Sequence, residues 1–201
     1  MNALVLRLPA TTTPADPACP QAAEPGSIAA LVPRVRSGDR HAAAALLRQM
    51  QARWYRFCLA QLRRPHDADD ATQEVALRVL SKLPRLRQIE RFETWSFGIA
   101  VNVCRESRRR STRHRAADVA AAEPAAAASP DAASTTEDLA ALHAALADLP
   151  PRQREAVTLR YLEGMTIADA AAAMRCRPGT IKAAVFNGLR TLRRRLAEDP
   201  R

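Results

Sequence analysis

Between residues 116 and 149 the chain carries six acids and no lysine or arginine, while basic groups crowd both flanks. Residues 31–115 hold 19 basic and 8 acidic groups, a net +11, and residues 150–201 hold 11 and 5, a net +6. Two basic blocks are therefore held apart by an acidic one. The acidic block is also low in complexity. Residues 116–136 read AADVAAAEPAAAASPDAASTT, with Val119 the only large aliphatic side chain. Such a segment cannot bury enough apolar surface to offset the entropy of ordering it, so it reads as a flexible linker. Residues 1–27, containing TTTPADPACPQAAEPGS, have the same character and read as a disordered tail.

Composition then favours helices. The hydrophobic share of 47% rests largely on alanine, and aromatics are only 4%. Alanine is the best helix former, whereas strands want β-branched and aromatic side chains. Six glycines are too few for an all-β chain full of tight turns. No apolar run is long enough to cross a membrane, and the first ten residues are too weakly apolar for a signal peptide. Cys19, Cys58, Cys104 and Cys176 form no CxxC pair, and the four histidines are scattered, so neither a metal site nor a cofactor is expected. No glycine-rich phosphate loop or GxSxG elbow occurs. The four thiols read as unpaired residues of a reducing cytoplasm. The formal charge of +10, nearly all of it arginine, fits a polyanionic partner.

Helical periodicity sets the element map. A helix is expected from Asp39 to about Leu62, with Leu46, Leu47, Met50, Trp54, Phe57 and Leu62 at helical spacing. Pro65 breaks it, and Asp67 or Asp69 is expected to cap the next helix, which runs to about Leu83. A third helix starts near Glu93 or Thr94 and reaches Arg110, with Phe92, Trp95, Ile99 and Val103 as its apolar stripe and a strongly basic far end. Beyond the linker come EDLAALHAALADL, then PRQREAVTLRYLEG stopped by Gly164. A third helix is capped by Thr166, and a fourth runs from a capping Thr180 to about Leu196. The last two, joined by the turn RCRPG, have the helix-turn-helix pattern. On the last helix Ile181, Val185, Leu189, Leu192 and Leu196 fall within an arc of about 80°, with Ala183, Asn187, Arg190 and Arg194 opposite. Lys182, Ala183, Ala184 and Asn187 stand where a recognition helix reads bases. Asparagine suits adenine, and alanine suits the thymine methyl. The expected fold is all-α: two small helical domains on a flexible linker, the second a helix-turn-helix domain.

From about Ile28 the chain resembles a bacterial sigma factor of the extracytoplasmic function group of the sigma-70 family. Two stretches carry the likeness. One is Asp67-Ala68-Asp69-Asp70-Ala71-Thr72-Gln73-Glu74 followed by FETWSFGIAVNVCRESRRR, similar to region 2. The other is LPPRQREAVTLRYLEGMTIADAAAAMRCRPGTIKAAVFNGLRTLRRRL, similar to region 4. The implied layout is a tail over 1–27, region 2 over 28–115, a linker over 116–136 and region 4 over 137–198. The implied function is to bind core RNA polymerase and direct it to promoters through their −10 and −35 elements, without covalent chemistry. Asp70, Gln73 and Glu74 inherit contact with the β′ clamp helices. Asn102, Arg105, Arg108 and Arg109 inherit the −10 strand, while Phe92 and Trp95 favour core packing. Thr180, Lys182, Ala183, Asn187, Arg190 and Arg194 inherit the −35 element, and region 4 also touches the β flap. An anti-sigma factor is a further partner that the resemblance leaves open. The acidic linker, lying near the RNA exit path in this family, is expected to imitate RNA's charge. Three departures stand out: Lys182-Ala183-Ala184 replaces a basic reader, Arg175 stands where the turn usually has glycine, and Gly98 interrupts the Trp95–Ala100 helix. Two other readings are weaker. An operator-binding regulator that never joins polymerase does not explain the acidic DDATQE patch. A nuclease would have to build its metal site from Asp67, Asp69 and Asp70 alone.

Overall fold

A computed structural model describes residues 26–117 and 145–198. The expected tail and nearly all of the expected linker lie outside the described residues. Among the described residues every regular element is helical, as expected. Helix α1 spans Ile28–Arg36 and α2 Arg40–Leu62. Ser27 caps α1 by accepting from the Ala30 amide at 3.3 Å. Asp39 caps α2 by accepting from the His41 and Ala42 amides at 2.9 and 3.0 Å, which satisfies donors a helix start leaves orphaned. Helix α2 ends on Arg63 in the left-handed region, φ 71°. Helix α3 spans Pro65–Lys82. The expected cap at Asp67 or Asp69 is corrected: Pro65 itself opens the helix, because its fixed φ and missing N–H suit the first helical position. Two short 3-10 turns, Leu83–Arg85 and Ile89–Arg91, lead to α4, Phe92–Ala117, which runs beyond the Arg110 expected from sequence.

These helices close on a core of Leu46, Met50, Trp54 and Phe57 from α2, Val75 and Val79 from α3, and Phe92, Phe97, Ala100 and Val101 from α4. Phe57 and Phe97 meet edge to face at 5.7 Å. The buried Trp54 indole donates to Ser96 Oγ at 3.3 Å. Each such side chain contributes about 1.5–3 kcal/mol when fully buried. Phe92 is therefore core, as expected, while Trp95 is half-buried against it.

In the second half α5 spans Pro151–Val157 and continues as a π turn, Thr158–Leu162, to Gly164 at φ 69°. Helix α6 spans Ile167–Met174, with Thr166 Oγ1 accepting from the Asp169 amide as its cap. Helix α7 spans Pro178–Glu198. It begins two residues before the expected Thr180, which lies inside the first turn and is not the cap. Between α6 and α7, Arg175 takes a left-handed conformation, φ 52°, where the resemblance noted the missing glycine. Ala145, Leu146 and Leu149 pack with Val157 and Leu192 in a small core of their own.

The larger core does not stop at the domain boundary. Ala156, Leu159, Met165, Ala170, Ala173 and Met174 join the cluster built by α2, α3 and α4. Helix α6 lies against α4 at Gly98, where an added Cβ would meet the Ala173 carbonyl oxygen at 3.4 Å. The two domains thus pack on each other, a contact the sequence pattern gave no sign of.

Candidate nucleic-acid and partner interfaces

The acidic helix presents one exposed face. Asp70 and Gln73 are exposed and Glu74 is half-buried. Val75 and Val79 take the opposite face into the core. Leu77 stands on the same outer side as Asp70 and Gln73 and is 65% exposed. The sequence reading missed it, although its spacing of seven from Asp70 placed it there. Glu74 is partly spent within the chain: it accepts from Arg78 Nε at 2.6 Å, and Arg78 also forks onto both Glu106 oxygens at 3.1 and 2.8 Å. The Arg78 hydrogen bond holds the Glu106 carboxyl below its ordinary range.

The residues expected to meet the −10 strand lie along α4, one turn apart or less. Asn102 is half-buried and Arg109 is exposed. Arg109 lines a recess with Arg78, Glu106, Arg110 and Arg113, a largely cationic concavity. Arg105 and Arg108 are not open to solvent in the same way. Both reach the carboxylate of Glu155 on α5, Arg105 Nη2 at 2.7 Å and Arg108 Nη2 at 2.6 Å, and the Glu155 side chain is 0% exposed.

Other polar bonds cross the same domain contact. Arg53 on α2 donates across it to Glu163 Oε2 at 3.1 Å, and within its own domain to Glu93 Oε2 at 2.7 Å. Arg154 Nη1 donates to the Gln61 carbonyl at 3.0 Å, and Gln61 Nε2 donates to Thr158 Oγ1 at 3.3 Å. Thr94 Oγ1 donates to Asp169 Oδ1 at 3.2 Å. Burial pulls Arg154 down to about 10, which leaves it charged at neutral pH.

On α7 the apolar stripe of Ile181, Val185 and Leu192 is buried as expected. The side chain of Leu196 lies outside the described residues. Lys182, Ala183, Arg190 and Arg194 are exposed on the outer side of the helix. Asn187 is half-buried on the shoulder of that face. Phe186, 67% exposed beside it, is an apolar group the sequence reading did not single out. Thr180 is exposed in the first turn. Cys58 and Cys104, 46 residues apart in sequence, meet in the first core with sulfurs 3.6 Å apart. The hydrogen bond between them and burial push the Cys104 thiol up, which keeps it unreactive. Among the described residues no cluster of three metal-ligating side chains occurs. No described helix is long and apolar enough to cross a membrane.

Residues 46–114 match the family described as Sigma-70 region 2, and residues 139–192 match Sigma-70, region 4. The chain is 34% identical over 165 residues to the ECF RNA polymerase sigma factor SigC of Mycobacterium tuberculosis, covering 82% of this chain and 88% of that one. It is 32% identical over 178 residues to the ECF RNA polymerase sigma factor ShbA of Streptomyces griseus, covering 83% and 93%. Its fold matches the sigma factor RpoE solved with the anti-sigma factor NepR from Bartonella quintana. That match has a TM-score of 0.68 and 25% identity, over 77% of this chain and 96% of that one. A helical protein with matches to Sigma-70 regions 2 and 4 and a helix-turn-helix is a transcription initiation subunit in type. The chain belongs to the extracytoplasmic function group of the sigma-70 family and is a sigma factor, which sets aside the stand-alone regulator.

Proposed function

We propose that this sigma factor engages core RNA polymerase through the outer face of α3, with Asp70 and Gln73 flanking Leu77 and Glu74 at the edge. The observation that carries this reading is that face itself. A protein of net charge +10 keeps exposed Asp69 and Asp70 on the same helix as a solvent-exposed leucine, which suits a basic groove with an apolar seat. The β′ clamp helices are the groove the family resemblance supplies, with the β flap as a second contact for the helix-turn-helix domain. Asn102, Arg105, Arg108 and Arg109 hold the displaced −10 strand, arginine on phosphate and Asn102 on a base. Lys182, Ala183, Asn187, Arg190 and Arg194, with Thr180 at the first turn, face the −35 element. The protein works in the cytoplasm by binding alone, with no cofactor. An anti-sigma factor, such as the one solved with its relative, is a further partner.

Run-off transcription with core polymerase tests the reading. Wild type should yield promoter-specific transcripts, and Asp70→Arg combined with Gln73→Arg should abolish both transcripts and co-purification with core enzyme. Normal co-purification of that variant would show that α3 is not the docking face.

A further inference from the structure

One concavity of the surface carries a charge that the packing does not need. Arg78 of α3 and Glu106, Arg109, Arg110 and Arg113 of α4 line a recess of about 340 Å³. We propose that this recess binds the phosphate chain of a small polyphosphate, inorganic or nucleoside-borne. Arg109, Arg110 and Arg113 grip the chain, and Arg78 forms a fixed wall. The site stands apart from the promoter reading, since Arg109 is the one lining residue the two share.

The charges in the recess do not balance. Its single carboxylate, Glu106, is already taken, because Arg78 donates from Nη1 to Oε1 at 3.1 Å and from Nη2 to Oε2 at 2.8 Å. That hydrogen bonding holds the Glu106 carboxyl below its ordinary range, so Glu106 stays an anion across the neutral range and Arg78 keeps its partner. Arg78 is committed on its other side as well, with Nε donating to Glu74 Oε1 at 2.6 Å. Arg109, Arg110 and Arg113 are exposed, and none of the three forms an ion pair among the described residues. Their spacing concentrates the charge. Arg109 and Arg113 are four apart and Arg110 and Arg113 three apart, so each pair shares a helix face, where like charges repel. Arg113 is also laid back along α4, its Nε donating to the Arg109 carbonyl at 3.4 Å. A bound polyanion relieves a repulsion that nothing else in the recess offsets.

The lining selects the ligand. Guanidinium forks hold phosphate oxygens two at a time. Among the described residues no apolar side chain lines the recess, so it lacks the seat that a base or sugar ring takes, and the phosphates carry the recognition. Its volume lies at the low end of ligand pockets, about 300–1,000 Å³, with room for a few linked phosphates. A terminal phosphate carries about −1.5 to −2 charges near neutral pH, whereas a DNA backbone phosphate carries about one. Three unbalanced arginines in one hollow therefore match a short phosphate chain better than one backbone phosphate.

Isothermal titration of the full chain at physiological salt tests the site, with sodium tripolyphosphate, ATP and orthophosphate as probes. Wild type should bind one tripolyphosphate, about tenfold or more tighter than orthophosphate. Arg110→Ala combined with Arg113→Ala removes charge-assisted hydrogen bonds from exposed positions and should weaken tripolyphosphate about tenfold or more. Glu106→Gln removes the one negative charge of the recess and should act in the opposite sense, tightening binding severalfold. Arg36→Ala combined with Arg40→Ala takes the same charge from exposed positions elsewhere and should leave the affinity within about twofold. Equal weakening in that control means attraction to net charge alone and overturns the site, as does a wild type with no saturable binding. If ATP and tripolyphosphate bind alike, the phosphate chain alone is the ligand; if ATP binds tighter, the ligand is a nucleoside polyphosphate. Both results support the site. A labelled oligothymidylate that loses as much affinity as tripolyphosphate in the Arg110→Ala, Arg113→Ala variant makes the recess a strand-backbone contact and overturns the proposal.

Discussion

At single residues, the positions that break a local rule are the informative ones. Leu77 is a large aliphatic side chain left 65% exposed one turn beyond Gln73 and Glu74, and nothing in the fold uses it. If it seats in the polymerase groove, Leu77→Asp should cost about 2 kcal/mol of core-enzyme affinity, as truncating a central anchor does. Because the side chain touches so little of the protein, the urea midpoint should stay at its wild-type value. Titration of labelled core polymerase checks the first point and a denaturation curve the second; an unfolded variant or an unchanged affinity would remove Leu77 from the docking face. Arg175 breaks a different rule. At φ 52° a side chain crowds its own carbonyl, and glycine does not. The Cys176 amide closes back onto the Ala171 carbonyl at 2.9 Å, so the turn itself is well made and only the residue type is strained. Arg175→Gly should raise stability by about 1 kcal/mol, read as a higher thermal midpoint of the full chain.

Helices were legible in the sequence where a side chain caps them. Asp39 and Thr166 announce α2 and α6 within a residue, because a short acceptor beside a periodic apolar run has few other uses. The starts of α3 and α7 were misplaced because proline opens both, and a proline reads equally as a stop. Helix α1 was not read as an element: it is short, and Pro33 inside it masks the cap at Ser27. The candidate residues Asp70, Gln73 and Lys182 fall on the expected exposed faces, since periodicity alone decides which side of a helix is buried. Asn187 sits closer to the shoulder than that arithmetic implied, because α5 approaches α7 on that side. The approach is close at Gly188, where a Cβ would stand 2.7 Å from Val157 Cγ2. Valine in a helix has one strongly preferred rotamer and cannot swing away. Gly188→Ala should therefore cost about 1–3 kcal/mol despite alanine's better helix propensity, the usual penalty of overpacking. Gly98→Ala, with 3.4 Å to its nearest neighbour, should be tolerated. Paired urea melts of the two variants separate these outcomes.

For the molecule as a whole, the domain contact is what sequence patterns could not reveal. Periodicity reports which residues are buried, not which partner buries them, and nothing in the spacing of Glu155, Glu163 and Arg154 marks them as buried. Glu163 links this contact to pH. It is met by Arg53 and Arg56 from α2 and by Glu93 from α4. Burial, the largest influence, raises its carboxyl above the ordinary 4.5, and the Arg53 hydrogen bond only partly offsets this. The group is thus more readily protonated with the domains packed than apart. Its contribution to packing is full below about pH 4.5 and is lost as pH rises through the elevated value. Lowering the pH from neutral toward 4.5 should shift the wild type toward the compact form, seen as a falling radius of gyration in small-angle scattering. Glu163→Gln is neutral throughout this range and keeps an oxygen for Arg53. It should be more compact than wild type at neutral pH and should lose most of the pH dependence. A variant that follows the wild-type curve would assign the pH response to another group, and would show that burying Glu163 costs the packed domains nothing.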